Sequence, residues 1–528
     1  MSTVEKQHSV DKVESVAGDH YSTPTKPRVR NHINGQIGAA HLFIEDENGN
    51  VIERLPIPRP TNDPLDPLSW STARKHMAFV SISFFVFLSN YTLASITPGF
   101  LGIVEEFGVT ITKATYLLTT QILSLGVGNL FWIPLSLKFG KRPICIISSA
   151  IFFAACVWSA KAGSYGSLLG ARIIQGFGAS SSEALGPAIV ADLYFLHERG
   201  KMVGIYTFMI ASGAAFGGIF AGLAVHNSGD WRWAFWMDSI LTGTCFLFIT
   251  LFQSETNFRR PIESETGEGM DAMSAQSTTP SQYSWVRSLA LWGWYDSETP
   301  MWELFWRPVK VLYYPAVLFA SMTYGICLGW VVLQQTANAV AFPEIYHFGD
   351  LGVGNINVAN LIGAVVGCIL GGPACDWLIA VISKRHNGLF RPETRLVAFI
   401  LPIIMGPIGL MIWGAGLENH LHWSVPIAGF GITYGLLCMV PAIGITYVVD
   451  CYRPLASETL TGMTAFKNTF AFGLSFGVTP WIELDGYTKV SGYMTLIEGV
   501  VLLTVIPMYV FGERLRNWTL RQGDVKKN

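Results

Sequence analysis

The sequence predicts an all-α membrane protein of twelve spanning helices, arranged as two pseudo-symmetric six-helix bundles. Two observations carry this. First, half of the 528 residues are hydrophobic and only 14% are charged, with a mean hydropathy of +0.38. The apolar residues fall in blocks of about 20, the length that crosses about 30 Å of hydrocarbon at 1.5 Å per residue. Second, the chain repeats itself. Gly186, Val190, Asp192, Tyr194, Gly204 and Phe208 recur at a constant offset as Gly444, Val448, Asp450, Tyr452, Gly462 and Phe466. A duplicated helix–loop–helix in a long hydrophobic chain is the mark of a secondary transporter whose substrate path lies between the repeats.

The twelve spans are expected near 77–98, 114–137, 143–162, 167–191, 202–225, 233–253, 311–336, 354–381, 396–416, 424–449, 459–481 and 490–512. Helices are required because lipid offers no partner to backbone N–H and C=O groups, and the blocks are too long and too uniformly apolar for barrel strands. The domain plan is a disordered cytosolic tail over 1–75, a six-helix bundle over 76–254, a cytosolic linker over 255–310, a second bundle over 311–512 and a cytosolic tail over 513–528. The tail over 1–75 lacks the apolar core of a cleavable signal. The linker is acidic and Ser/Thr-rich, with Glu263, Glu265, Glu268 and Asp271, basic flanks at Arg259, Arg260, Arg307 and Lys310, and an aromatic section at Trp285, Trp292 and Trp294. That section is either an interfacial amphipathic helix or part of an unstructured linker.

Loop charges give the orientation. One side carries Arg74, Lys75, Lys138, Lys141, Arg142, Arg199, Lys201, Lys384, Arg385, Arg391, Arg395, Arg453, Arg514 and Arg516; the other carries Lys113, Lys161, Arg232 and Lys489. The basic side is expected in the cytosol, with both termini. A formal net charge of −2 implies no nucleic-acid partner. The eight cysteines form no CxxC pair and read as small core residues. His420 and His422 read as a polar loop, and no metal site is expected.

Helix 4 opens Leu168-Leu-Gly-Ala-Arg172-Ile-Ile-Gln175-Gly176-Phe-Gly178 and continues to Glu183. Intramembrane charges are expensive and rarely incidental. Arg172, Gln175 and Glu183 share one helical face, but the two charges stand about 16 Å apart along the axis, too far for an ion pair. Glu183 therefore needs another partner, a bound cation or a proton. Lys467, near the middle of helix 11, is the natural counter-charge to Glu183 or to a substrate anion. Arg172, Glu183 and Lys467 are the candidate proton-coupling residues. The candidate substrate cavity draws on Asn90, Tyr91, Gln121, Gln175, Gln334, Gln335, Asn357, Asn360, Tyr434, Tyr447 and Asn468. Helix 5 carries Gly204, Gly213, Gly217, Gly218 and Gly222, a stripe that lets backbones approach closely. The loop after helix 2 reads Lys138-Phe-Gly140-Lys141-Arg142, whose cations can meet Asp192 at the end of helix 4.

These residues resemble the major facilitator superfamily, in particular its fungal drug:proton antiporter branch, from about residue 63 onward. Arg172, Gln175, Gly176 and Gly178 match the superfamily's Arg-centred motif, which implies a role in proton coupling. Gly204, Gly213, Gly217 and Gly222 match the antiporter motif of helix 5, with Gly218 where proline is usual and Ala221 where glycine is usual. Lys138, Gly140, Lys141 and Arg142 match the gating motif after helix 2, with Ile133 in place of its glycine and Leu137 in place of its aspartate. The aspartate reappears in the second half as Gly372-Pro-Ala-Cys-Asp376. Asp63–Trp70, Ser182–Pro187, His197–Gly200 and Pro392–Leu396 also resemble fungal members.

The function expected is proton-coupled efflux of a small organic molecule, a drug, toxin or secondary metabolite, by alternating access. The alternative is proton-coupled import of an organic cation or polyamine-like nutrient. An enzyme is not expected: no metal set or nucleophile–base constellation stands on one membrane face. No phosphate-binding glycine loop is present, so a proton gradient is the expected energy source and no cofactor is expected. The expected partners are the lipid bilayer and a small-molecule substrate. The protein is expected to be a monomer in the plasma membrane, with the vacuolar membrane possible.

Overall fold

The computed structural model describes residues 43–45, 51–54, 63, 65–258, 295–296, 300–385, 391–452 and 455–522. Arg259, Arg260, the linker acids, Trp285, Trp292, Trp294 and Arg453 lie outside the described residues. The chain divides into two compact units, Met1–Pro56 and Ile57–Asn528. In the first, strands β1 (Phe43–Glu45) and β2 (Val51–Arg54) pair antiparallel, with Phe43 opposite Arg54. This ribbon lies inside the segment expected to be unstructured.

The second unit is helical. Its first half runs α1 (Thr72–Ala94), a 3-10 turn at Thr97–Gly99, α2 (Phe100–Phe107), α3 (Ile111–Phe139), α4 (Lys141–Ala160), α5 (Tyr165–Leu193), α6 (Leu196–Ser228) and α7 (Arg232–Phe252). Helix α8 (Met301–Val311) lies in the expected linker. The second half runs α9 (Pro315–Tyr346), α10 (Asp350–Asn355), α11 (Asn357–Gly371), α12 (Pro373–Arg385), a 3-10 segment at Pro392–Phe399, α13 (Ile400–Glu418), α14 (Ser424–Cys451), α15 (Ala456–Ser475), α16 (Val478–Leu503) and α17 (Val505–Gln522). Side-chain caps start two of the long helices: Thr110 accepts from Lys113 N and Ser164 from Ser167 N.

Ten helical stretches among the described residues are long and apolar enough to cross a membrane. The other two expected spans are the helices α5 and α15, of 29 and 20 residues, which carry Arg172, Glu183 and Lys467. They are less apolar than the ten because they carry those charges together with many Ser, Thr, Gln and Asn residues.

Several boundaries differ from expectation. The seventh span runs to Tyr346, not 336, because its apolar run continues through Pro343 without a cap. The eighth breaks at Gly372, where Pro373 has no N–H to continue the ladder. The last helix continues to Gln522, so most of the expected tail from 513 is helical. It is held there by Arg516, which donates to Glu393 at 2.9 Å.

The halves meet along two seams, α3 against α15 and α6 against α10 and α11. A Cβ on Gly126 of α3 would lie 2.8 Å from the Asn468 Cβ of α15. At the end away from the basic loops, Tyr116 and Phe476 stack at 4.8 Å. There Ile96, Leu117 and Trp231 of one half join Val332, Ala339 and Val353 of the other in one buried cluster. That end is therefore closed by apolar contact across the halves.

The glycine stripe of α6 is only partly a packing surface. A Cβ at Gly213 or Gly217 would run into the α1 backbone at Phe87 or Tyr91, one at Gly218 into the Asn357 amide, and one at Gly222 to within 2.9 Å of Gly354 Cα. A Cβ at Gly204, expected in the same stripe, would meet nothing within 4 Å. Gly217→Val is therefore expected to cost about 1–3 kcal/mol by overpacking, while Gly204→Ala stays within about 0.5 kcal/mol. Thermal unfolding of the purified variants in detergent separates the two, with the midpoint falling for the first alone.

Candidate functional site

A cavity of about 90 Å³ lies between the halves at mid-depth, walled mainly by Leu93, Leu118, Ile122, Ile210, Leu328 and Val332. Helices α5 and α15 bring Glu183 and Lys467 into it, 3.1 Å apart, with both side chains buried. Glu183 Oε2 also accepts from Asn468 Nδ2 at 3.2 Å, and Oε1 from Asn90 Nδ2 at 3.5 Å. The Lys467 ammonium sits over the Tyr324 ring, 4.6 Å from its centroid. Each charge thus has an opposite partner plus further polar or π contacts, the condition under which a buried pair is tolerated. Because Glu183 is in the first half and Lys467 in the second, the pair also ties the halves together.

Arg172 lies outside this cavity. Its Nη1 donates to Thr92 O and Gln175 Oε1, each at 3.0 Å, and its Nε to Leu117 O at 3.2 Å. Gln175 Nε2 donates to Cys156 Sγ at 3.2 Å, and Gln121 Nε2 to Thr92 Oγ1 at 3.2 Å. The guanidinium is thus held by carbonyls at the closed end of the first half, apart from Glu183 as the axial spacing requires.

Of the expected cavity residues, Asn90, Gln335, Tyr434 and Asn468 line it. Tyr434 also crosses the halves, donating to Ala211 O at 2.7 Å. The other seven do not line it. Gln121 and Gln175 belong to the Arg172 cluster. Tyr91 is buried where α1 meets α6, with its hydroxyl unpartnered. Gln334 is one residue, hence about 100° of helix rotation, from Gln335, and is fully buried away from the cavity. Asn360 stands behind Gln335, donating to it at 3.5 Å and to Asn357 at 3.0 Å. Tyr447 is 13 residues beyond Tyr434, about 20 Å along α14, and its hydroxyl lies at the basic end, 3.0 Å from where a Cβ on Gly512 would stand.

The basic end carries ionic clasps within each half. In the first, Lys141 pairs with Asp192. Gly140, at φ 103°, turns the chain so that Glu255 can accept from the N–H groups of Lys141 and Arg142, each at 3.1 Å. Arg142 donates to Thr250 O at 3.0 Å, and Lys138 sits over Tyr295. In the second half, Arg395 bridges Asp450 at 2.6 Å and Asp376 at 2.9 Å, just after the Gly372 break. Asp192 and Asp450, equivalent in sequence, thus each take a cation from the second or third helix region of their own half.

Two intramembrane carboxyls stand outside the sequence-derived set: Asp238 on α7 and Glu498 on α16, both fully buried. Each lies within an expected span, so the rule that membrane charges are functional until shown otherwise was signal enough to find them.

The comparisons with known proteins decide the family. The family model described as Major Facilitator Superfamily matches residues 80–480. The chain belongs to the major facilitator superfamily. Full-length relatives include an uncharacterized MFS-type transporter of Schizosaccharomyces pombe, 25% identical over 92% of each chain. A cycloheximide resistance protein of Candida maltosa is 26% identical, over 86% of this chain and 83% of that one. The fold resembles the partially occluded inward-open xylose transporter XylE from E. coli at a TM-score of 0.53 and 15% identity, over 83% of this chain and 99% of that one. The chain is thus an integral membrane transporter for small molecules and not an enzyme.

Removing one member of a buried ion pair leaves the other uncompensated, which costs about 3–5 kcal/mol, whereas replacing both is far milder. Lys467→Met alone is therefore expected to lower the unfolding midpoint more than the double variant with Glu183→Gln. A double-mutant cycle on the purified protein measures the difference.

Proposed function

We propose that the protein exports a small, largely apolar organic molecule in exchange for protons, by rocking its two halves around the central cavity. The observation that carries this reading is the Glu183–Lys467 ion pair, which joins the halves inside a mainly apolar cavity. When the halves separate at one end, the pair must stretch or change partner, so substrate and conformation compete for the same two groups. The apolar walls favour an apolar substrate, and a relative named for cycloheximide resistance supports export of a toxic small molecule. The same reading has a proton gradient as the energy source with no cofactor, a monomer in the plasma membrane or alternatively the vacuolar membrane, and both termini in the cytosol.

A second reading, import of an organic cation, is favoured by one feature. Glu183 and the Tyr324 face hold the Lys467 ammonium, and the same two groups suit a substrate cation that displaces it.

Uptake and efflux assays in a transporter-deficient yeast, with a panel of cations and lipophilic toxins, separate the two. Glu183→Gln is expected to abolish pH-dependent transport. Binding survives the change if the substrate is neutral and is lost if it is a cation. Wild-type binding and pH dependence in that variant would show Glu183 to be structural. Arg172→Ala is expected to reach the membrane and lose proton-driven flux.

The clasps at the basic end act as gates in this cycle. Asp192→Asn is expected to shift the population toward opening at that end by about 1–2 kcal/mol, the size of a partly exposed charge-assisted contact. Cysteine labelling at cavity positions reads this as a faster rate; an unchanged rate removes the gating role.

A further inference from the structure

Among the described residues, three carboxyls are buried within the spanning helices away from the basic end: Glu183, Asp238 and Glu498. Their surroundings differ. Glu183 is paired with Lys467 and bonded by two asparagines. Glu498 has only the Cys327 thiol, 3.9 Å away. Asp238 Oδ2 accepts from Ser95 Oγ at 2.8 Å, while Oδ1, buried, has no partner.

Asp238 shares its anchor with Arg172. The last turn of α1 and the residue after it offer Thr92 O to Arg172, Thr92 Oγ1 to Gln121 and Ser95 Oγ to Asp238. Three buried atoms of this cluster have no protein partner: Arg172 Nη2, Gln121 Oε1 and Asp238 Oδ1. Arg172 and Asp238 act on each other electrostatically without forming an ion pair within 4.0 Å. Arginine stays cationic at any attainable pH, so the cluster is neutral with Asp238 ionised and carries one positive charge with it protonated. The other titratable groups in electrostatic contact with Asp238 are Cys156 from α4 and Tyr91 from α1; α6, which also packs on α7, supplies none that acts on it. None of Arg172, Gln121, Gln175 and Asp238 lines the central cavity.

We propose that Asp238, facing Arg172 across the end of α1, is the group that binds and releases the coupling proton, at a buried site separate from the substrate cavity. The proposal rests on the proton-coupled reading above and assigns its proton. The step is proton transfer alone. An O–H bond forms on the Asp238 carboxylate as a proton arrives from solvent on one side, and it breaks as the proton leaves to the other; no electrons move. Ionised, the carboxylate balances Arg172 and grips Ser95; protonated, it does neither as strongly. Two residues beyond Ser95, Thr97 Oγ1 accepts from Gln335 Nε2 of the other half at 3.4 Å. Proton occupancy is thereby transmitted to the segment of the first half that touches the second at its closed end. Arg172 acts here as a positioning residue for the charge on Asp238.

The test needs no substrate, only protons. Full-length protein in lipid nanodiscs is titrated, and infrared difference spectra record the C=O stretch of protonated carboxyls. The proposal expects a titrating band that is lost in Asp238→Asn and kept in Glu183→Gln. It expects Ser95→Ala to shift the frequency of that band and Arg172→Lys to shift its titration midpoint. If Asp238→Asn does not fold, these two variants carry the test, and an unmoved band in both overturns the proposal. A band lost only in Glu183→Gln also overturns it while leaving proton coupling standing. No titrating carboxyl band in the wild type removes both the proposal and the proton-coupled reading.

Discussion

One buried ion pair organises this molecule. A lone carboxylate or ammonium at the centre of a bilayer is too costly to keep, so Glu183 and Lys467 must find each other, and they do so from opposite halves. That requirement dictates much of the surrounding structure. It brings α5 and α15 to the shared axis, although these are the two spans least suited to lipid. It needs α3 and α15 close enough that only glycine fits at position 126. It also draws Asn90 and Asn468 in to complete the shell of the carboxylate. The cavity is what remains around the pair.

The closed end is held by different physics. There the halves meet through apolar side chains and an amide contact, Gln335 to Thr97. Such contacts are short-ranged and separate without leaving charge behind. The basic end uses ionic clasps within each half, each tying helix ends of one bundle together. Rigid halves joined by a separable seam are what alternating access requires.

Much of this was legible in the sequence, and the rest was hidden for definable reasons. Spans, repeat and charges could be read because lipid imposes length and apolarity residue by residue. The pairing of Glu183 with Lys467 was readable because each was a membrane charge in need of a partner. The cavity lining was not. Gln334 and Gln335 are equally polar, and only the rotation of α9 against its neighbours decides which one faces the path. Tyr447 failed for depth, since hydropathy marks that a residue lies in a span but not how far along it. Gly204 failed because a motif marks a glycine without saying whether a neighbour comes close. Asp238 and Glu498 were visible as charges in apolar runs, but no motif drew attention to them.

Helix α8 belongs by sequence to the connector between the halves, yet it touches both. Its Phe305 meets Phe131 of α3 at 6.3 Å between ring centroids, and its Pro308 carbonyl comes so near α15 that a Cβ on Gly462 would lie 2.6 Å from it. Under the alternating access proposed above, a helix wedged against both halves cannot keep the same neighbours in every state. It would then act as a strut between the halves, and changes at its contacts, far from the cavity, would retune the transport cycle without altering what the cavity accepts.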